Sequence, residues 1–130
     1  MYEAITNGIR VRVQPDYSTQ QSAPVENRFF WTYTVEIRNE GELAVQLRTR
    51  HWRITDQRGR LEEVRGNGVV GKTPLLRPGE SFSYTSGCPL TTPSGIMSGS
   101  YQMIDEQGAS FDVTIPAFSL DSPFASRTVN

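Results

Sequence analysis

Phe29, Trp31, Tyr33, Val35 and Ile37 alternate with Phe30, Thr32, Thr34, Glu36 and Arg38, and this period of two constrains the fold more than any other feature. A side-chain period of two belongs to an extended chain with one face buried and the other wet. The same pattern recurs in shorter form at Ile9, Val11 and Val13, at Phe82 and Tyr84, at Tyr101 and Met103, and at Phe111, Val113 and Ile115. Nowhere does an apolar period of 3.6 persist for three turns. Turn signals fall between the patterned segments: Asn39-Glu-Gly-Glu42 with Gly41 for positive φ, Asp56-Gln-Arg-Gly59, Pro78-Gly79 and Asp105-Glu-Gln-Gly108. Short strands at this spacing predict an all-β antiparallel sandwich of immunoglobulin-like or fibronectin type III-like architecture, with about seven strands. The predicted core contains Trp31, Tyr33, Val35, Trp52, Ile54, Phe82 and Val113.

Local features refine this reading. Pro15 marks an edge position or a strand end, and the polar segment 20–27 is a loop. Leu43, Val45 and Leu47 lie on odd positions, whereas Trp52 and Ile54 lie on even ones. That change of parity predicts a bulge near Thr49 to His51. Segment 87–99, rich in Pro, Ser, Thr and Gly, predicts an irregular connection. One domain spanning 1–118 is expected, followed by a mostly polar tail, 119–130, that frays.

A chain of 130 residues buries enough surface to fold without staples. Its one cysteine, Cys88, admits no internal disulfide. The N-terminus carries no basic segment followed by an apolar run, and no stretch approaches the ~20 apolar residues of a membrane span. A cytoplasmic location, without membrane association, is the expectation.

Net charge is −1 overall, yet residues 48–77 carry eight basic groups against three acidic ones. Twelve of the thirteen basic residues are arginine, whose planar fork suits phosphate and carboxylate. Within this segment, Gly66-Asn-Gly-Val-Val-Gly-Lys-Thr73 matches the letters of two phosphate-binding motifs, G-x-G-x-x-G and G-x-x-x-x-G-K-[ST]. Both motifs need an apolar strand before the glycines and a helix after them, because the helix N-terminus holds the phosphate. The preceding Arg60-Leu-Glu-Glu-Val-Arg65 is too charged for a strand buried on both faces, and Pro78 ends any helix begun at Pro74. Asn67-Gly68 instead predicts a type I′ hairpin turn. A looser anion site would draw on Arg65, Gly66, Gly68, Gly71, Lys72 and Arg77.

Catalytic chemistry is sparse. His51 is the single histidine, so a serine or cysteine nucleophile could pair only with it. Cys88 reads as a small buried hydrophobe, His51 as a rim residue beside a core Trp52, and Glu62 and Glu63 as side chains on opposite strand faces. Phe29, Trp31 and Tyr33 share one buried face, which removes them as base-stacking aromatics and argues against a nucleic-acid partner. No catalytic residues, metal ligands or cofactor are assigned.

The run Arg50-His-Trp-Arg-Ile-Thr-Asp56 leads into Val64-Arg-Gly-Asn-Gly-Val-Val-Gly71, then Pro74-Leu-Leu-Arg-Pro-Gly-Glu-Ser-Phe-Ser-Tyr-Thr-Ser-Gly87 and Gly95-Ile-Met-Ser-Gly-Ser-Tyr101. Together these segments resemble the bacterial ApaG family, from about Tyr2 to the region of Phe118. The resemblance implies a fibronectin type III-like fold. It implies kinship with domains of eukaryotic F-box proteins and of a polymerase delta-interacting protein, where they serve protein–protein interaction. It also implies a link to cobalt and magnesium efflux, and pyrophosphate binding at Gly66, Gly68 and Gly71. It implies no catalytic residues. The expected function is therefore a non-enzymatic module for an unidentified protein partner, with weak binding of pyrophosphate-containing small molecules or nucleotides at Gly66–Thr73 as the alternative.

Overall fold

The computed structural model describes residues 1–124. Its strands are β1 (Tyr2–Thr6), β2 (Ile9–Tyr17), β3 (Phe29–Asn39), β4 (Val45–Asp56), β5 (Leu61–Asn67), β6 (Leu75–Leu76), β7 (Ser81–Leu90), β8 (Ser94–Asp105) and β9 (Ser110–Asp121). A single turn of 3-10 helix, Pro24–Glu26, interrupts the polar loop before β3. All pairings are antiparallel and form two sheets, one ordered β1-β2-β3-β7 and the other β5-β4-β8-β9, with β6 also on β4. The sheets pack face to face as a sandwich. The nine strands among the described residues exceed the expected seven because two carry little periodic signal. β1 has only five residues, and β6 has two.

The long alternation forms β3, whose odd residues from Phe29 to Ile37 are all buried. Tyr33, Trp52 and Phe118 interlock at the centre, with ring centroids 5.2 Å apart for Tyr33–Trp52 and 6.0 Å for Trp52–Phe118. Such tilted and edge-on contacts suit the aromatic quadrupole. Ile54 and Phe82, expected in the core, are only half-buried against it. Pro15 lies inside β2, but at a locally unpaired edge, since β1 reaches no further than Val13. The parity change in β4 is a bulge between Leu47 and Thr49 in the ladder with β8, slightly earlier than expected.

Three expectations are corrected. Segment 87–99 is not an irregular connection: β7 runs to Leu90 and β8 starts at Ser94, leaving three linking residues. Its glycines serve close packing; a Cβ on Gly99 would meet the His51 carbonyl oxygen at 2.1 Å. The small, polar tail does not fray from residue 119 onward. β9 continues to Asp121, Leu120 is fully buried, and the Trp31 Nε1–H donates to the Asp121 carbonyl at 3.0 Å. Residues 125–130 of that expected tail lie outside the described residues. Finally, Gly41 does not have the positive φ expected of its turn. There Asn39, fully buried, accepts from the Gly41 N–H and donates to the Leu43 and Leu76 carbonyls.

The two long sides of the sandwich differ. On one, β9 packs against β1 and β2, and the Thr114 N–H donates to Thr6 Oγ1. On the other, the terminal strands β5 and β7 leave a cleft between the sheets.

Candidate functional site

The glycine-rich stretch is a hairpin. Val69 and Lys72 exchange both backbone hydrogen bonds, at 2.8 and 2.9 Å. Val70 and Gly71 between them have φ of +45° and +78°, the signs a type I′ turn requires. The turn is thus centred on Val70-Gly71, not on Asn67-Gly68. Asn67 pairs with Thr49 as the last residue of β5, and only Gly68 of that pair has positive φ. A Cβ on Gly68 would lie 2.3 Å from the Lys72 carbonyl oxygen, so close backbone approach fixes glycine there. Val70 is a β-branched residue held at positive φ, a strained conformation, with its side chain more than half exposed.

Little of this hairpin is left to cradle a phosphate. The amides of Gly68, Val69 and Lys72 donate to the carbonyls of Arg48, Lys72 and Val69. The next element is the two-residue β6, which offers no helix N-terminus. The six candidate anion-site residues do not converge. Gly66, Gly68, Gly71 and the exposed Lys72 lie in or beside the hairpin. Arg65 is exposed and pairs with Glu63 at 3.4 Å. Arg77 comes directly after β6, which pairs with the start of β4 at Val45, whereas Arg65 pairs with His51. At ~3.3 Å per residue these positions lie roughly 20 Å apart along β4. Arg77 is occupied by Glu80, through its amide at 2.7 Å and its guanidinium at 4.0 Å.

The cleft on the open side contains a residue whose role the sequence does not announce. Arg50 shares parity with Trp52 and Ile54, so it occupies a core-facing position of β4. Its Nη1 donates to the Asn67 and Gly68 carbonyls at 2.9 and 2.8 Å. Gly66 sits opposite Arg50 in β5, and a Cβ there would lie 2.8 Å from Nη2, so the missing side chain makes room for the guanidinium. No carboxylate among the described residues forms an ion pair with Arg50. The signal is present in the sequence, as an arginine in phase with two apolar residues, but the nearby bulge obscures the phase.

Around Arg50 lies a cavity of about 340 Å³, lined by Tyr33, Trp52, Ile54, Val64, Val70 and Met97, among others. Tyr84, which lines it, hydrogen-bonds through its hydroxyl to that of the fully buried Tyr101. A wider lobe of about 660 Å³ shares Ile54, Glu62 and Pro89 with it and extends past Phe30 and Leu61. Burial raises the Tyr33, Tyr84 and Tyr101 hydroxyls above their ordinary 10.0.

The remaining reactive side chains do not meet. Cys88 is buried in β7, and burial pushes its thiol up to about 12. His51 projects from the opposite face of β4 to Trp52, with Nε2 3.5 Å from Glu63 Oε2. Arg53 and Arg65 also approach Glu63 there, at 3.6 and 3.4 Å. Glu62 turns instead into the cleft. Among the described residues, no three His, Cys, Asp or Glu side chains form a metal-binding group.

The chain is similar to known proteins along its whole length. A sequence profile of the ApaG domain matches residues 19–105. Protein ApaG of Rhodospirillum centenum is 63% identical over 130 residues, covering all of both chains. Protein ApaG of Methylorubrum populi is 62% identical over the same span. A crystal structure from Bordetella pertussis, described as ApaA, superposes with a TM-score of 0.87 at 49% identity, covering 90% of this chain and 95% of that one. A second X-ray structure, a structural-genomics target, gives a TM-score of 0.86 at 45% identity, covering 98% and 96%. This chain belongs to the ApaG domain family.

Proposed function

We propose that this domain is a non-enzymatic module for protein–protein interaction, and that it engages its partner along the open side between β5 and β7. One observation carries the reading: two sheet-terminal strands, β5 and β7, border one cleft whose rim exposes large apolar side chains. Leu61 and Val70 there are 57% and 55% exposed. A terminal strand presents unpaired N–H and C=O groups, and an extended segment of a partner can add to it while its side chains enter the adjacent cavities. The opposite side offers no comparable opportunity, since β9 closes against β1 and β2. Several features support a binding role over an enzymatic one. The buried thiol keeps its proton, His51 lies on the other face of its sheet, and Glu62 and Glu63 diverge. A link to cobalt and magnesium efflux would then run through the partner protein.

Site-specific photo-crosslinking in cells tests this reading. A benzophenone side chain at Leu61 or Val70 is expected to give discrete higher-mass adducts. The same group at Arg12 or Glu36, on the outer face of the other sheet, is expected to give none. Adducts at Arg12 and Glu36 alone would overturn the placement of the surface, and no adducts at any position would overturn the interaction reading.

A further inference from the structure

Arg50 poses a physical problem that its two hydrogen bonds only partly solve. A guanidinium on the inner side of a sandwich gives up water, and it needs either a counter-charge or a full set of acceptors. Here Nη1 serves the Asn67 and Gly68 carbonyls, no carboxylate among the described residues pairs with the group, and the cavity opens beside it. The rest of the cavity wall is chiefly apolar and aromatic: Tyr33, Trp52, Ile54, Val64 and Met97. A concave apolar site of about 340 Å³ with one fixed charge lies in the range of small-ligand sites.

We propose that the cleft between the sheets is a binding site for a small amphipathic carboxylate, its headgroup on Arg50 and its apolar body against Trp52, Ile54, Val64 and Met97. A planar carboxylate matches the guanidinium fork, and the partly dry setting strengthens the pair relative to one at the surface. Glu62 lines the same cavity. Its charge disfavours a second negative group on the ligand, which selects monoanions over dicarboxylates and pyrophosphate. The site is separate from the hairpin amides and from the exposed arginines. It shares its cleft with the interaction reading but goes beyond it, and because its test uses a small molecule alone, the two can fail separately.

The test is a methyl and indole NMR titration of the full chain with 4-phenylbutyrate, its neutral amide 4-phenylbutyramide, acetate and inorganic phosphate. The carboxylate is expected to saturate with a Kd below about 1 mM, moving the Trp52 indole and the Ile54, Val64 and Met97 methyls. The amide should bind at least about tenfold more weakly, since it forfeits the charge-assisted pair. Acetate and phosphate should not saturate below about 10 mM, since neither carries an apolar body. Arg50→Gln should remove the preference for carboxylate over amide. Because it also releases the Asn67 and Gly68 carbonyls, a second variant leaves Arg50 intact: Val64→Trp fills the cavity opposite Trp52 and should abolish binding without lowering Tm. Equal binding of acid and amide, saturation by phosphate alone, full binding by Val64→Trp, or no saturation by phenylbutyrate would each overturn the proposal.

Discussion

Gly68, Gly71 and Lys72 are close neighbours in one motif but differ in what a substitution would do. A Cβ on Gly68 collides with the Lys72 carbonyl oxygen at 2.3 Å and must also accept φ of +62°. A Cβ on Gly71 meets nothing within 4 Å, so only its φ of +78° penalises a side chain. Gly68→Ala is therefore expected to cost about 2–4 kcal/mol, Gly71→Ala about 1 kcal/mol, and Lys72→Ala less than about 0.5 kcal/mol in urea unfolding. Equal costs at the two glycines would contradict the close approach. Cys88 has a signature in pH. Its thiol keeps its proton to about 12 in the fold, against an ordinary value of 9.0 in the unfolded chain. Between these values the native state holds more protons than the unfolded state, so stability falls as pH rises above about 9. The buried tyrosines act in the same direction above their ordinary 10.0. The unfolding midpoint should be flat from about pH 7 to 8 and then decline, less steeply in Cys88→Ala. Native Cys88 should react slowly with a thiol reagent at pH 8 and quickly once unfolded.

At the scale of the element, strands with one buried face are legible because period-two alternation maps directly onto the pleat. β3 and the parity change in β4 are the clearest cases. Hairpin chemistry is harder to place. The Asn-Gly rule points to Asn67-Gly68, whereas the pair that turns a two-residue hairpin is Asn7-Gly8, with φ of +48° and +77° between β1 and β2. At the glycine stretch, tertiary pairing with β4 holds Asn67 in the strand and forces the turn onto Val70-Gly71. Segment 87–99 misleads for a related reason: turn-forming residues can also line a crowded sheet interior, where small size matters more than φ. The end of β9 is illegible because Ser119, Asp121 and Ser122 flank a single apolar Leu120, too short a pattern to count. That end is testable. Truncation after Phe118 removes a fully buried leucine and the acceptor of the Trp31 indole, and should cost about 3–5 kcal/mol. Truncation after Asp121, which keeps both Leu120 and that acceptor, should recover most of this loss. A small effect from both would return residues 119–121 to a frayed tail.

For the molecule as a whole, the sandwich is closed on one long side and open on the other, and the proposed function rests on this asymmetry. No strand alone reveals it. Whether β5 and β7 border one cleft depends on the order of strands in two sheets, and periodicity does not encode that order. What surrounds Arg50 is hidden for the same reason, since its neighbours across the cleft are Tyr33 and Tyr84 on strands distant in sequence. The proposed binding lies on the open side, and the glycine stretch is a strained hairpin braced by Arg50. The most direct test is an amide NMR titration with ATP and pyrophosphate, with and without magnesium, on the parent chain and on Lys72→Ala. The expected result is no saturable shift at residues 66–73 below about 1 mM, and whatever weak shifts occur should fade with added salt and ignore magnesium. Saturation near micromolar concentration, confined to residues 66–73 and lost in a stably folded Lys72→Ala, would contradict this assignment.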